Sequence, residues 1–169
     1  MQNDTTLTVD DKVHTLIDDL RDGTAKQHKY VRHELVDIGP AAVPGLIEAL
    51  QSPEVHVRWE AARVLGELRD PEAAGALVAA MQDPDIGVRW TAMESLIAMR
   101  RQAMRPLLQA LTTDFGSVWL REGAHHILHH FKKHGMLTID EMKVLDALEG
   151  LAPATETPWL AQRALDELK

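Results

Sequence analysis

LVAAMQDPDIGVRWTAMESL, residues 77–96, sets two apolar segments of helical period on either side of Asp83-Pro84-Asp85. A proline flanked by two short acidic side chains stops one helix and starts the next. The second segment recurs elsewhere. VRWEAARVLGEL from Val57 and VRWTAMESLIAM from Val88 stand 31 residues apart, with looser copies at Val31 (VRHELVDIG), Leu120 (LREGAHHILHHF) and Thr157 (TPWLAQRALDEL). The first segment recurs as well, beginning at Leu16, Leu46, Leu77, Leu107 and Val144, at spacings of 30, 31, 30 and 37. A fixed period in this range is the mark of a stacked repeat.

Five copies of each segment predict five helix pairs, at about 9–39, 40–69, 70–99, 100–134 and 138–169, with 1–8 as a frayed or disordered N-terminus. Val57, Ala61, Val64, Leu65 and Leu68 share one helical stripe, as do Val43, Leu46, Ile47 and Leu50. Second helices are expected over roughly 53–68 and 84–99. Ser52-Pro53, Asp83-Pro84 and Thr157-Pro158 each suggest a capping side chain before a proline at the first helical position. No pair can bury its apolar face alone, so stacking supplies the stability.

Composition agrees with this reading. Apolar residues make up 45% of the 169, but aromatics only 4%, which suits thin helical layers better than a β-sandwich. There is no apolar run long enough to cross a bilayer, and the polar start MQNDTTLTVDD is not a secretory signal. Cysteine is absent, which excludes disulfides, thiolate nucleophiles and cysteine-bound metals, and a cytoplasmic address is the expectation. A net charge of −8 counts against nucleic acid as the main partner.

The run Leu-x-x-Ala-Leu, Asp-Pro-Asp-x-x-Val-Arg and Ala-x-x-Leu, together with Pro44 and Pro106 in the first-type segments, resembles the HEAT family. More narrowly, it is similar to the HEAT-like repeats named after the phycobilisome lyases. The resemblance covers the chain from about Val9 onward. It implies an all-α superhelix with an armadillo-like stack, the first helix of each pair on the convex side and the second lining the concave side. Such arrays serve many tasks, so function has to be argued from the site.

Arg32, Arg58, Arg89 and Arg121 share one repeat position, and are expected to form a structural ladder with acidic turn residues such as Asp83 or Asp70. Opposite the core stripe stand His33, Trp59, Trp90, Glu122 and Trp159, followed one turn later by Arg63 and Glu94. Each Trp carries about 150–250 Å² of surface, so half of one left wet forfeits roughly 2–3 kcal/mol. Either the indoles fill gaps between helices, or they form a strip that anchors a partner. The strip suits a protein or peptide, and by the lyase-type resemblance a flat tetrapyrrole.

The fourth second-type segment, REGAHHILHHFKKH, holds five of the nine histidines. Glu122 with His126 and His129 could hold Zn²⁺ or Ni²⁺ through imidazole nitrogen and a carboxylate oxygen. His33-Glu34 is similar to the His-Glu dyads of HEAT-repeat deoxyhypusine hydroxylase, but Trp59-Glu60, Trp90-Thr91 and Glu122-Gly123 break that pattern. No Gly-rich phosphate loop, GxSxG turn or HExxH motif occurs. The expectation is a non-catalytic scaffold that binds a protein or peptide, needing no cofactor. A metal- or chromophore-handling protein of the lyase type is the alternative.

Overall fold

The computed structural model describes residues 8–21, 24–150 and 153–168. Among the described residues ten α-helices follow one another: α1 (Val9–Asp18), α2 (Ala25–Ile38), α3 (Val43–Ala49), α4 (Val55–Leu68), α5 (Ala74–Ala80), α6 (Ile86–Met99), α7 (Met104–Thr113), α8 (Val118–Lys133), α9 (Ile139–Glu149) and α10 (Pro153–Glu167). No β-strand occurs among the described residues. Most of the expected frayed terminus, residues 1–7, lies outside them. Thr8 belongs to the fold, since its hydroxyl and Asp11 close a capping box on α1.

Helices α4 and α6 end at residues 68 and 99 as the period requires, but they start two residues later than expected. Pro53 and Pro84 lie in the turns, and the N-caps are Glu54 and Asp85. Ser52 and Asp83 instead bond two residues onward, accepting from the Glu54 and Asp85 amides at 3.3 and 2.8 Å. These are side-chain turns that lead into the helix rather than cap it. Pro158 falls inside α10, so Thr157 caps nothing.

The helices form two layers. In the first, α1 packs on α3 and α5 on α7; in the second, α2 packs on α4, α4 on α6 and α6 on α8. Apolar stripes of both layers meet between them, where Val57, Ala61, Val64, Leu65, Ala92, Leu96, Leu107, Leu120, Ile127 and Leu128 are all fully buried. Ala61 has no exposed surface and its small side chain leaves no room for a larger one without displacing core neighbours. Ala61→Leu is therefore expected to cost about 2 kcal/mol through overpacking, read as a lower urea midpoint. An unchanged midpoint would contradict this packing.

A short 3₁₀ step carries the chain from the second layer back to the first: Gly39–Ala42, Pro71–Ala73 and Arg100–Ala103. Each ends on an alanine with no exposed surface (Ala42, Ala73, Ala103) that anchors the step in the core. Between α8 and α9 no such step exists, only residues 134–138. Helix α9 therefore turns back beside α8, held there by His125–Glu149 and Lys132–Asp146 at 3.0 and 3.5 Å. Helix α10 then packs on α9 and α7, and Arg105 Nη2 donates to the Leu168 carbonyl at 2.7 Å. The last pair thus has its layers exchanged relative to the other four.

That exchange corrects one expectation. Trp159, aligned by sequence with Trp59 and Trp90, stands on a helix of the first layer and is not part of their strip. Its indole is exposed, with Arg163 of its own helix over the ring at 5.9 Å.

Candidate functional site

The exposed face of α4, α6 and α8 is built on an unusually close approach of α4 and α6. Gly66 faces Ser95, and a β-carbon at Gly66 would stand only 2.9 Å from the Ser95 α-carbon. Ser95 Oγ donates across the gap to the Ala62 carbonyl at 2.9 Å, deep in the contact. Along this seam runs a groove of about 350 Å³ with Trp59 and Arg63 on one side, Trp90 and Glu94 on the other, and Gly66 and Ser95 in its lining.

Trp59 is half-buried, with Arg63 over its ring at 5.4 Å, and Trp90 is 53% exposed. The Trp90 ring leans on His126 of α8 at 5.0 Å, and His126 in turn pairs with Glu94 at 3.3 Å. On the far side of Trp90 a second hollow of about 220 Å³ runs between α6 and α8, where Glu122 and His126 join Trp119 and Met93. Four residues of the expected strip thus line one groove, and Glu122 lines the next. His33, exposed on α2, lines neither.

Residues 43–128 match the family model of HEAT repeats. The chain belongs to the HEAT-repeat family. The match runs from the start of α3 into α8 and stops short of the pair with exchanged layers. A comparison with curated proteins finds no match.

In this HEAT array the arginine column is structural. Arg58, Arg89 and Arg121 each donate from Nη1 to the two carbonyls that close the preceding turn: Ser52 and Pro53, Asp83 and Pro84, Phe115 and Gly116. Arg58 also grips Asp83 with two parallel bonds of 2.7 and 3.0 Å. Arg32 instead binds both oxygens of the buried Glu60 at 3.0 and 2.8 Å. Asp70 pairs with no arginine among the described residues; its carboxylate accepts from the Glu72 amide and caps a 3₁₀ turn.

The histidines of this HEAT array divide between the two flanks of α8. His126 turns toward α6, while His125 turns toward Glu149 of α9 and lies beside His129, the two rings tilted with centroids 5.9 Å apart. Glu122, His126 and His129 are not drawn around one point, and among the described residues no three His, Asp or Glu side chains could hold a metal ion together. No described helix is long and apolar enough to cross a membrane.

Two features of the face escaped the repeat alignment. Trp119 aligns with Tyr30, His56 and Gly87 and so is not part of the Trp59–Trp90 register, yet it sits under the Arg89 guanidinium at 4.6 Å and leaves much of its ring exposed. The other is a basic hollow of about 500 Å³ at the C-terminal ends of α4, α6 and α8, lined by Arg69, Arg100, His130 and His134. Arg69 and Arg100 have φ of 54° and 55°, at the position where α2 ends on Gly39 with φ 74°. An L-residue there costs about 1–2 kcal/mol that glycine does not incur. The pattern was readable in register: Gly39, Arg69 and Arg100 stand 30 and 31 residues apart.

Proposed function

We propose that this HEAT protein is a non-catalytic interaction module that holds a peptide segment of another protein on the exposed face of α4, α6 and α8. The observation that carries the reading is Trp90. Its indole is 53% exposed and stands between two hollows rather than over a gap it could fill. A ring held on a rigid helix loses little entropy on binding, and buried aromatic anchors dominate most protein interfaces. Arg63 and Glu94 on either side of the groove offer one donor and one acceptor to fix the register of a bound chain.

Peptides selected from a random library on immobilised protein, then titrated in solution, test this. Replacing Trp59 and Trp90 together by Ala is expected to weaken binding by about 2 kcal/mol, roughly 30-fold. The same change should lower stability far less than a core Leu→Ala substitution, which costs about 2–5 kcal/mol. Equal binding by variant and wild type would remove the strip from the interface. The narrower likeness to lyase-type repeats supplies a different ligand class, a flat tetrapyrrole, and a visible absorption band in freshly purified, untagged protein would favour it.

A further inference from the structure

We propose that the basic hollow at the ends of α4, α6 and α8 binds an anionic group, carboxylate or phosphate, carried by the peptide that lies between Trp59 and Trp90. The inference rests on the peptide-binding reading and names the chemistry of one end of that peptide. Among the described residues, Arg69 and Arg100 are the only arginines whose side chains have no partner. Arg21, Arg32, Arg58, Arg63, Arg101 and Arg163 are ion-paired, and Arg89, Arg105 and Arg121 donate to carbonyls. In a chain of 26 acidic residues and net charge −8, two neighbouring guanidinium groups left open need an explanation.

Their backbone sharpens the point. Both occupy a positive-φ position that glycine fills at the end of α2. Neutralising the carbonyl ends of the helices would favour a cation there. That does not require the strained position, because a basic residue within the last turn serves equally, as Lys132 and Lys133 do in α8. Placement at the cap instead brings both guanidinium groups into one hollow with the stacked rings of His130 and His134, 4.3 Å apart, over a floor of Ile97 and Ala98. Guanidinium forks are suited to carboxylate and phosphate oxygens. Arg69 and Ala98 also line the Trp59–Trp90 groove, so the two hollows adjoin and lie within the span of one extended chain.

The test uses the full chain, isotope-labelled at arginine, titrated at constant ionic strength with inorganic phosphate and separately with acetate. The Nε–Hε resonances of Arg69 and Arg100 should shift along a saturating curve, while that of Arg63, exposed but paired with Glu67, should only drift. A stronger response to phosphate assigns a phosphorylated residue; a stronger response to acetate assigns an acidic side chain or chain terminus. Arg69→Gly with Arg100→Gly should weaken the ion about tenfold or more while the unfolding temperature holds or rises. Arg69→Gln with Arg100→Gln should lose the same affinity without the backbone change. Trp59→Ala with Trp90→Ala should bind the ion as wild type does, so loss of the strip and loss of the anion site are read separately. Linear drift at both arginines, or wild-type affinity in the glycine or glutamine variants, would reduce them to helix-end charges and overturn the proposal.

Discussion

Asp83→Ala is expected to cost about 3 kcal/mol, a fall in unfolding temperature of roughly 6–12 °C for a chain of this size. The carboxylate is the joint between two repeats. It receives Arg58 Nε and Nη2 from the preceding pair and the Asp85 amide at the start of the next. Both charged groups are nearly covered, with side-chain exposures of 11% for Arg58 and 7% for Asp83. Removing the acid leaves the guanidinium half-satisfied in the turn, where only its bonds to the Ser52 and Pro53 carbonyls remain. Asp83→Asn keeps an acceptor for the Asp85 amide and should lose about half as much.

The pH dependence follows from the same contacts. Burial works to raise the Asp83 carboxyl, but the Arg58 hydrogen bonds and the Asp85 amide outweigh it and hold the group below the ordinary carboxylate value. A depressed folded-state value means the stabilisation is fully present above the unfolded value, near pH 3.9, and is lost as pH falls through the lower folded one. The gap between wild type and Asp83→Ala should therefore be level from about pH 7 to 5 and close below about pH 4. A gap that narrows already at pH 6 would mean that another group controls the joint.

How far the sequence could be read depends on what each residue answers to. The core stripe was legible because Val57, Ala61, Val64 and Leu65 satisfy a helical period by themselves, and each is fully buried. The arginine column was legible because three of its members repeat one local bond pattern within six residues of chain. The fifth pair was not. Its residues carry the right period, but layer assignment depends on the connection, and the 37-residue spacing marked the missing 3₁₀ step. Trp159 followed the period onto the wrong layer. Trp119 and the Arg69–Arg100 hollow depend on contacts between helices, which a repeat alignment does not contain.

Gly66→Ala separates propensity from packing. Helix propensity alone predicts a gain of about 1 kcal/mol, since α4 is regular at this position. The contact with α6 predicts the opposite. The new β-carbon would meet the Ser95 β-carbon at 2.6 Å and its α-carbon at 2.9 Å, and a helix backbone cannot yield to it locally. The two helices must separate along their whole seam, breaking the Ser95–Ala62 bond, so a net loss of about 3 kcal/mol is expected. Ser95→Gly in the same chain clears the β-carbon and hydroxyl but leaves the α-carbon contact, and should restore only part of the stability. The seam also sets the distance between Trp59 and Trp90. The double variant, folded but with its groove widened, should therefore bind selected peptides more weakly than its stability alone predicts. Wild-type affinity in that variant would mean that the groove's width does not govern recognition, and that each tryptophan acts independently.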